Sequence, residues 1–276
     1  MSAWLDGLRR TLDAAPQPVT FFFRDDDAGW DDDGLYELLD LFARHSTPID
    51  VAAIPSALTP ALAANLRARM EAGPARLAVH QHGFAHRNHE PEGRRKCEFG
   101  DARESALQQG DIEAGRRVLA DLFGPLVSHI FTPPWNRCTA VTGECLLRAG
   151  VRILSRDSTA APLNLDGLFE LPVTVDWFAK RKGVRLSLDE LGALLAAAGG
   201  TSAPVGVMFH HAVMGGGERR RAGELLALLA SHRNARCSLM ERLAGVSAPG
   251  IAAQAHGQVT GWRPNVTPAP TLLERK

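Results

Sequence analysis

The sequence predicts an α/β protein built as a parallel (β/α) barrel, and three observations carry that reading. Apolar, β-branched and aromatic runs alternate with helical patterns along most of the chain. Those runs are continuous rather than alternating, as strands buried on both faces require. About seven β-α units succeed one another, which favours closure into a barrel over an open sheet.

Trp4, Leu5, Leu8 and Leu12 recur at helical spacing and predict a short amphipathic helix. Residues 19–23 are a buried strand and 35–44 a helix with its leucines and Phe42 on one face. A strand over 49–54 is closed by Pro55, and Thr59-Pro60 opens a helix that runs to Glu71 before Ala72-Gly73-Pro74 stops it. Residues 76–80 are a third strand, 106–123 a long helix, and 127–131 a strand ending at Pro133-Pro134. A helix over 141–149 stops at Gly150, and strands follow over 151–155 and 168–175. Residues 188–198 form a helix ended by Gly199-Gly200, 205–209 the last strand and 218–229 the helix after it.

The chain has 276 residues, 45% of them hydrophobic, which suits one large domain over 1–250 with an irregular, proline-bearing tail over 251–276. Lys plus Arg and Asp plus Glu both number 31, so no global field draws nucleic acid. No apolar run is long enough to span a membrane. Cys97, Cys138, Cys145 and Cys237 lack CxxC spacing, so free thiols are expected. The first residues carry no basic stretch followed by a long apolar one, and a cytoplasmic protein is expected.

The polar clusters sit just after predicted strands, where parallel barrels carry their chemistry. Asp25-Asp26-Asp27 follows the first strand, and His82 and His86 stand four apart after the third. An Asp/His/His set holds a divalent ion and leaves coordination sites for water, so the pattern reads as a metal hydrolase. The histidine spacing meets one metal if the segment is helical. His210-His211 ends the last strand, and His210 is the preferred general acid with His211 the fallback. Pro134-Trp135 and Asp176-Trp177 place tryptophans at strand ends, where their faces can stack on sugars. Asp31-Asp32-Asp33 reads as a helix cap, and Gly215-Gly216-Gly217 lacks the Lys-Ser/Thr of a phosphate loop.

Taken in order, Asp26-Asp27, His82…His86, Thr132-Pro133-Pro134-Trp135, Val173…Asp176-Trp177 and Met208-Phe209-His210 resemble the motifs of the polysaccharide deacetylases with a NodB-homology domain. The resemblance spans residues 19–211 and implies a distorted (β/α) barrel of fewer strands than a TIM barrel. It implies zinc, or cobalt or nickel, on Asp27, His82 and His86, with Asp26 as base, His210 as acid, and the Trp135 backbone N–H beside the oxyanion. Pro134, Trp135, Asp176 and Trp177 would line the substrate, an N-acetylated sugar or glycan precursor. A register slipped by one would make Asp25 the base and Asp26 the ligand. The family's base-orienting Arg is replaced by Thr132, with Arg24 or Arg137 as substitutes, and the first acid of its fourth motif is Val173. A hydrolase of a non-sugar N-acyl amide and a non-catalytic glycan-binding module are the alternatives.

Overall fold

Val19–Ala28 forms β1, the strand from which the sheet spreads to both sides. Phe21 and Phe23 enter the core beneath the helices, while Phe22 enters the barrel. Successive side chains leave a strand on opposite faces, so one apolar run serves both cores. The computed structural model describes residues 2–73 and 76–245. The expected boundary at 250 and the expected tail over 251–276 lie outside the described residues.

A 3-10 turn, Ala3–Leu5, leads into α1 (Asp6–Ala14), which buries Leu8 and Leu12. After β1 come α2 (Asp32–Arg44), β2 (Ile49–Ala53), α3 (Pro60–Ala72), β3 (Leu77–His82), α4 (Ser105–Phe123), β4 (Val127–Thr132), α5 (Ala140–Arg148) and β5 (Ile153–Leu154). Two short strands follow, β6 (Phe169–Glu170) and β7 (Val175–Asp176), then an antiparallel hairpin of β8 (Lys180–Arg181) and β9 (Val184–Arg185). The chain continues through α6 (Leu188–Gly199), β10 (Val205–Phe209), α7 (Gly216–Ser231), β11 (Ala235–Cys237) and α8 (Met240–Leu243). Local chemistry sets the helix starts. Thr59 Oγ1 accepts the Leu62 N–H at 3.1 Å ahead of Pro60, and Ser187 and Glu190 form a reciprocal capping box.

Every pairing in the main sheet is parallel, in the order β6-β5-β4-β3-β2-β1-β10-β7, with β11 beside the first residues of β1. The two ends of that order belong to one stretch of chain. Phe169, Leu171 and Val173 donate their backbone N–H groups to Arg152, Leu154 and Arg156, and Thr174 and Trp177 donate theirs to Gly206 and Met208. Residues 169–177 therefore bridge β5 and β10 and close a distorted barrel, in agreement with the expected class. This stretch was expected as one strand over 168–175; it divides into β6 and β7 because it changes partner between Val173 and Thr174. β1 runs on through the aspartates instead of ending at Phe23, since β10 pairs with it as far as Asp25 and β2 as far as Ala28. β3 likewise includes His82, which pairs with Thr132. The hairpin, β11 and α8 are too short to leave a periodic signal.

Phe22, Ile130, Ile153, Leu171, Val173, Met208 and Met240 fill the lower barrel. Gly206 lies in register with Phe22, and a Cβ there would run into the Phe22 ring. α8 stops the lower end, with the Met240 N–H donated to Asp50 Oδ2 at 3.1 Å. Higher up, the interior becomes polar: Arg24, His80, Thr132 and Ser155 are all fully buried there. That gradient carries the charge to the C-terminal mouth. Among the described residues no helix is long and apolar enough to cross a membrane.

Candidate active site

The last turn of β1 gives its three aspartates three different surroundings. Asp26 follows Arg24 on the inner face, and the two form a buried bidentate pair, Nε to Oδ1 at 2.8 Å and Nη2 to Oδ2 at 2.9 Å. Arg24 also donates to Ser155 Oγ at 2.8 Å and Asn136 Oδ1 at 2.7 Å, so its guanidinium is fixed on every side. Burial opposes ionisation of Asp26, but the charges of Arg24, His82 and His210 hold its carboxyl below the usual range. Of the two arginines expected as substitutes, Arg24 is the one on Asp26; Arg137 donates to the Lys96 carbonyl at 2.8 Å.

Asp25 points the other way. It accepts the His211 backbone N–H at 3.0 Å and the His211 Nδ1–H at 2.6 Å, both residues fully buried. His211 is thereby turned away from the mouth, which leaves His210 as the histidine that faces it.

Asp27 adopts a left-handed φ of 73°, within a break in the β1–β2 register, and turns over the mouth. Its Oδ1 stands 3.1 Å from His82 Nε2 and 3.3 Å from His86 Nε2. One ligand atom from each of the three lies within 4.8 Å of the others. His82 Nδ1–H donates to the Thr132 carbonyl at 3.0 Å, which leaves Nε2 facing the cluster. Burial pushes the His86 imidazole down to about 4, so the ring is neutral and one of its nitrogens keeps a lone pair for a metal. A carboxylate and two oriented imidazoles at this separation fit a divalent cation of the zinc type. The register with Asp27, not Asp26, beside the histidines is the one the geometry brings together.

The helical reading of His82 and His86 is corrected. His82 ends a strand, and His86 lies on an irregular loop with φ 52°. Glu98 makes that loop possible. Its fully buried carboxylate accepts the Phe84 N–H at 3.2 Å and the Ala85 N–H at 2.8 Å. Gly83 has φ 55°, and a Cβ there would strike Glu98 Oε2 and the Pro134 ring.

No family model matches the sequence, and no curated protein matches it either. Solved structures do match. A Mycobacterium smegmatis protein named as a candidate polysaccharide deacetylase superposes with a TM-score of 0.61 at 14% identity, over 88% of this chain and 96% of its own. A family 4 carbohydrate esterase from Streptomyces lividans, solved in complex with acetate, gives 0.53 at 16% identity over 86% and 100%. A mutant of a CE4 family pseudoenzyme with restored enzymatic activity gives 0.52 at 11% identity over 83% and 68%. The chain has the polysaccharide deacetylase fold.

Within this deacetylase fold, the remaining expected residues divide. His210 follows β10 in extended conformation, and its ring meets Phe178 edge-on at 6.4 Å between centroids. Asp176 accepts the Phe178 N–H at 2.8 Å, and burial raises its carboxyl above the usual range. Trp135 packs on His86 at 4.4 Å between centroids, with Pro134 buried beneath the loop. Its indole N–H is buried and has no partner among the described residues. Trp177 is corrected: it is 2% exposed, packed on Phe209 and Trp4, with its indole N–H donated to Glu218 at 2.9 Å. Asp176 shares the face of Met208, so its neighbour must point out of the barrel.

Two residues of the site carry no sequence expectation. Trp30 stands 4.7 Å from His86, on which Trp135 also packs, and Glu98 holds the loop. Trp30 follows the end of β1 closely, but the strand read from sequence stopped at Phe23, which hid that position; Glu98 sits in a charged loop stretch that gives no signal.

Proposed function

We propose that this protein is a metal-dependent deacetylase that hydrolyses the N-acetyl amide of an amino sugar. One observation carries the reading. An arginine-clamped, ionised carboxylate, Asp26, and an imidazole, His210, face the Asp27/His82/His86 cluster at the mouth of a deacetylase-type barrel. The structural neighbour solved with acetate supports the class of product.

Asp27, His82 and His86 would hold the cation. When bound, a divalent cation acidifies water and polarises the acyl oxygen. Asp26 would take the proton as water adds to the carbonyl carbon. Arg24 keeps Asp26 ionised and fixes its orientation, so little reorganisation accompanies the transfer. The Trp135 backbone N–H would donate to the developing oxyanion. As the carbon–nitrogen bond breaks, His210 would protonate the departing amine, giving acetate and a free amino sugar. Trp30 and Trp135 both pack on the His86 ring, which limits the access of bulk water to it.

The pseudoenzyme neighbour shows that the fold exists without activity, so the residues must decide. Here a base, its arginine, an acid and three candidate ligands stand together, which favours catalysis over a binding module. The test is acetate release from N-acetylglucosamine oligomers with zinc, cobalt or nickel added, against the chelated protein. Release that needs metal supports the reading; none with any metal, on any acetylated amino sugar, refutes it.

A further inference from the structure

The geometry points to an anion subsite beside His210, formed by Arg185 with Lys180 and Lys182, that selects acetylated sugars carrying a phosphate. The inference rests on the proposed deacetylase reading and adds a substrate class to it.

The hairpin that follows β7 rises from the same C-terminal face as Asp176 and His210. Its sequence, Lys180-Arg181-Lys182-Gly183-Val184-Arg185, carries four basic residues in six, in a chain whose net charge is zero. A chain of contacts ties it to the reaction centre. Phe178 meets His210 at 6.4 Å, and the Arg185 guanidinium lies 4.4 Å over the Phe178 ring. That cation–π contact, with the Glu218 carboxylate at 3.2 Å, orders a side chain that is still 45% exposed. On its other side Arg185 borders a cavity of about 220 Å³ that lies outside the barrel, against Trp177, Leu191 and Glu218.

The charges do not balance locally. Glu218 is shared by Arg185 and Arg221, and Glu190 is paired with Arg181 at 2.6 Å. Asp189 is the other acid at the start of α6. Lys180 and Lys182 are exposed and have no acidic partner among the described residues. Several cations on one rim match a phosphate, which spreads up to two charges over several acceptor oxygens, better than a neutral sugar. An acetyl group held between the metal cluster and His210 would place the far side of its sugar toward Phe178 and Arg185.

The test is calorimetric binding to the full chain at low salt, with N-acetylglucosamine, N-acetylglucosamine 1-phosphate and the uridine diphosphate sugar as probes. Phosphate should tighten binding roughly tenfold, the worth of one charge-assisted contact. R185Q should remove most of that gain, K182Q a smaller part, and added salt should erode it. Further tightening by the uridine diphosphate sugar would identify a nucleotide-linked substrate; equal binding would identify a simple sugar phosphate. Equal affinity for plain and phosphorylated sugar in the wild type overturns the subsite. So does a gain that survives R185Q and K182Q together, or inorganic phosphate binding as tightly as the phosphosugar. A gain lost in R185Q, with no acetate released from any probe, keeps the subsite and overturns the deacetylase reading, so the two failures are distinct.

Discussion

Asp25 and His211 form a buried pair at 2.6 Å, and their chain neighbours Asp26 and His210 face the opposite way, into the mouth. Alternation along β1 separates the two aspartates, and past the end of β10 the change from extended His210 to the 3-10 turn at His211 separates the two histidines. The outer pair bolts β1 to the end of β10, and the inner pair is set across the cluster as a consequence. His211 Nε2 also donates to the Trp30 carbonyl at 2.5 Å, which seats the indole against His86.

Stability should therefore depend on His211. Burial opposes its charge, but the Asp25 carboxylate and the Trp30 carbonyl raise it to about 9. The folded value lies above the unfolded one, so the stabilisation is complete below about pH 6.5 and is lost as pH rises toward 9. Denaturant unfolding between pH 6 and 10 should show a loss on the order of 3 kcal/mol, absent in His211→Gln. A flat profile in the wild type would show that the imidazole is neutral.

Arg24→Gln should cost about 3 kcal/mol of stability, because it leaves the buried Asp26 carboxylate without its partner. It should also move the acid limb of the kcat/KM profile to higher pH, since Arg24 is the main group that lowers Asp26. An unshifted acid limb in a folded variant would remove Asp26 from the role of base.

Asp26→Asn should retain bound metal and lose roughly 10²–10⁴-fold in kcat, the contribution of a positioned general base. Parallel loss of metal would instead make Asp26 a ligand. Full activity would assign the proton transfer elsewhere.

Gly83→Ala should displace the loop that carries His86. The new Cβ meets Glu98 Oε2 and the Pro134 ring at a left-handed φ of 55°. A cost of about 1–3 kcal/mol is expected, with metal affinity falling more than global stability. Metal titration beside thermal unfolding separates the two.

Much of this was legible in sequence because strand ends announce themselves. The apolar runs 19–23, 127–131 and 205–209 stop at the polar clusters that the barrel gathers at one mouth. The adjacent aspartates left their register open to a slip of one, since only His82 on β3 and His211 after β10 distinguish Asp25 from Asp27. The spacing of His82 and His86 suggested a helix, but a strand end plus a loop folded around Glu98 gives the same separation. Trp177 drew attention as an aromatic at a strand end; alternation from Asp176 already required it to point into the outer core. Arg24 was one of two candidates to orient the base, and nothing in the sequence chose it over Arg137, because only the continuation of β1 past Phe23 puts Arg24 and Asp26 on one face.

The most direct test of the central claim is the metal content per chain of the wild type and His86→Ala, purified side by side and exposed to zinc. The site predicts about one ion in the wild type and little in the variant. Equal content in the two, whether one or none, would contradict a metal site on Asp27, His82 and His86.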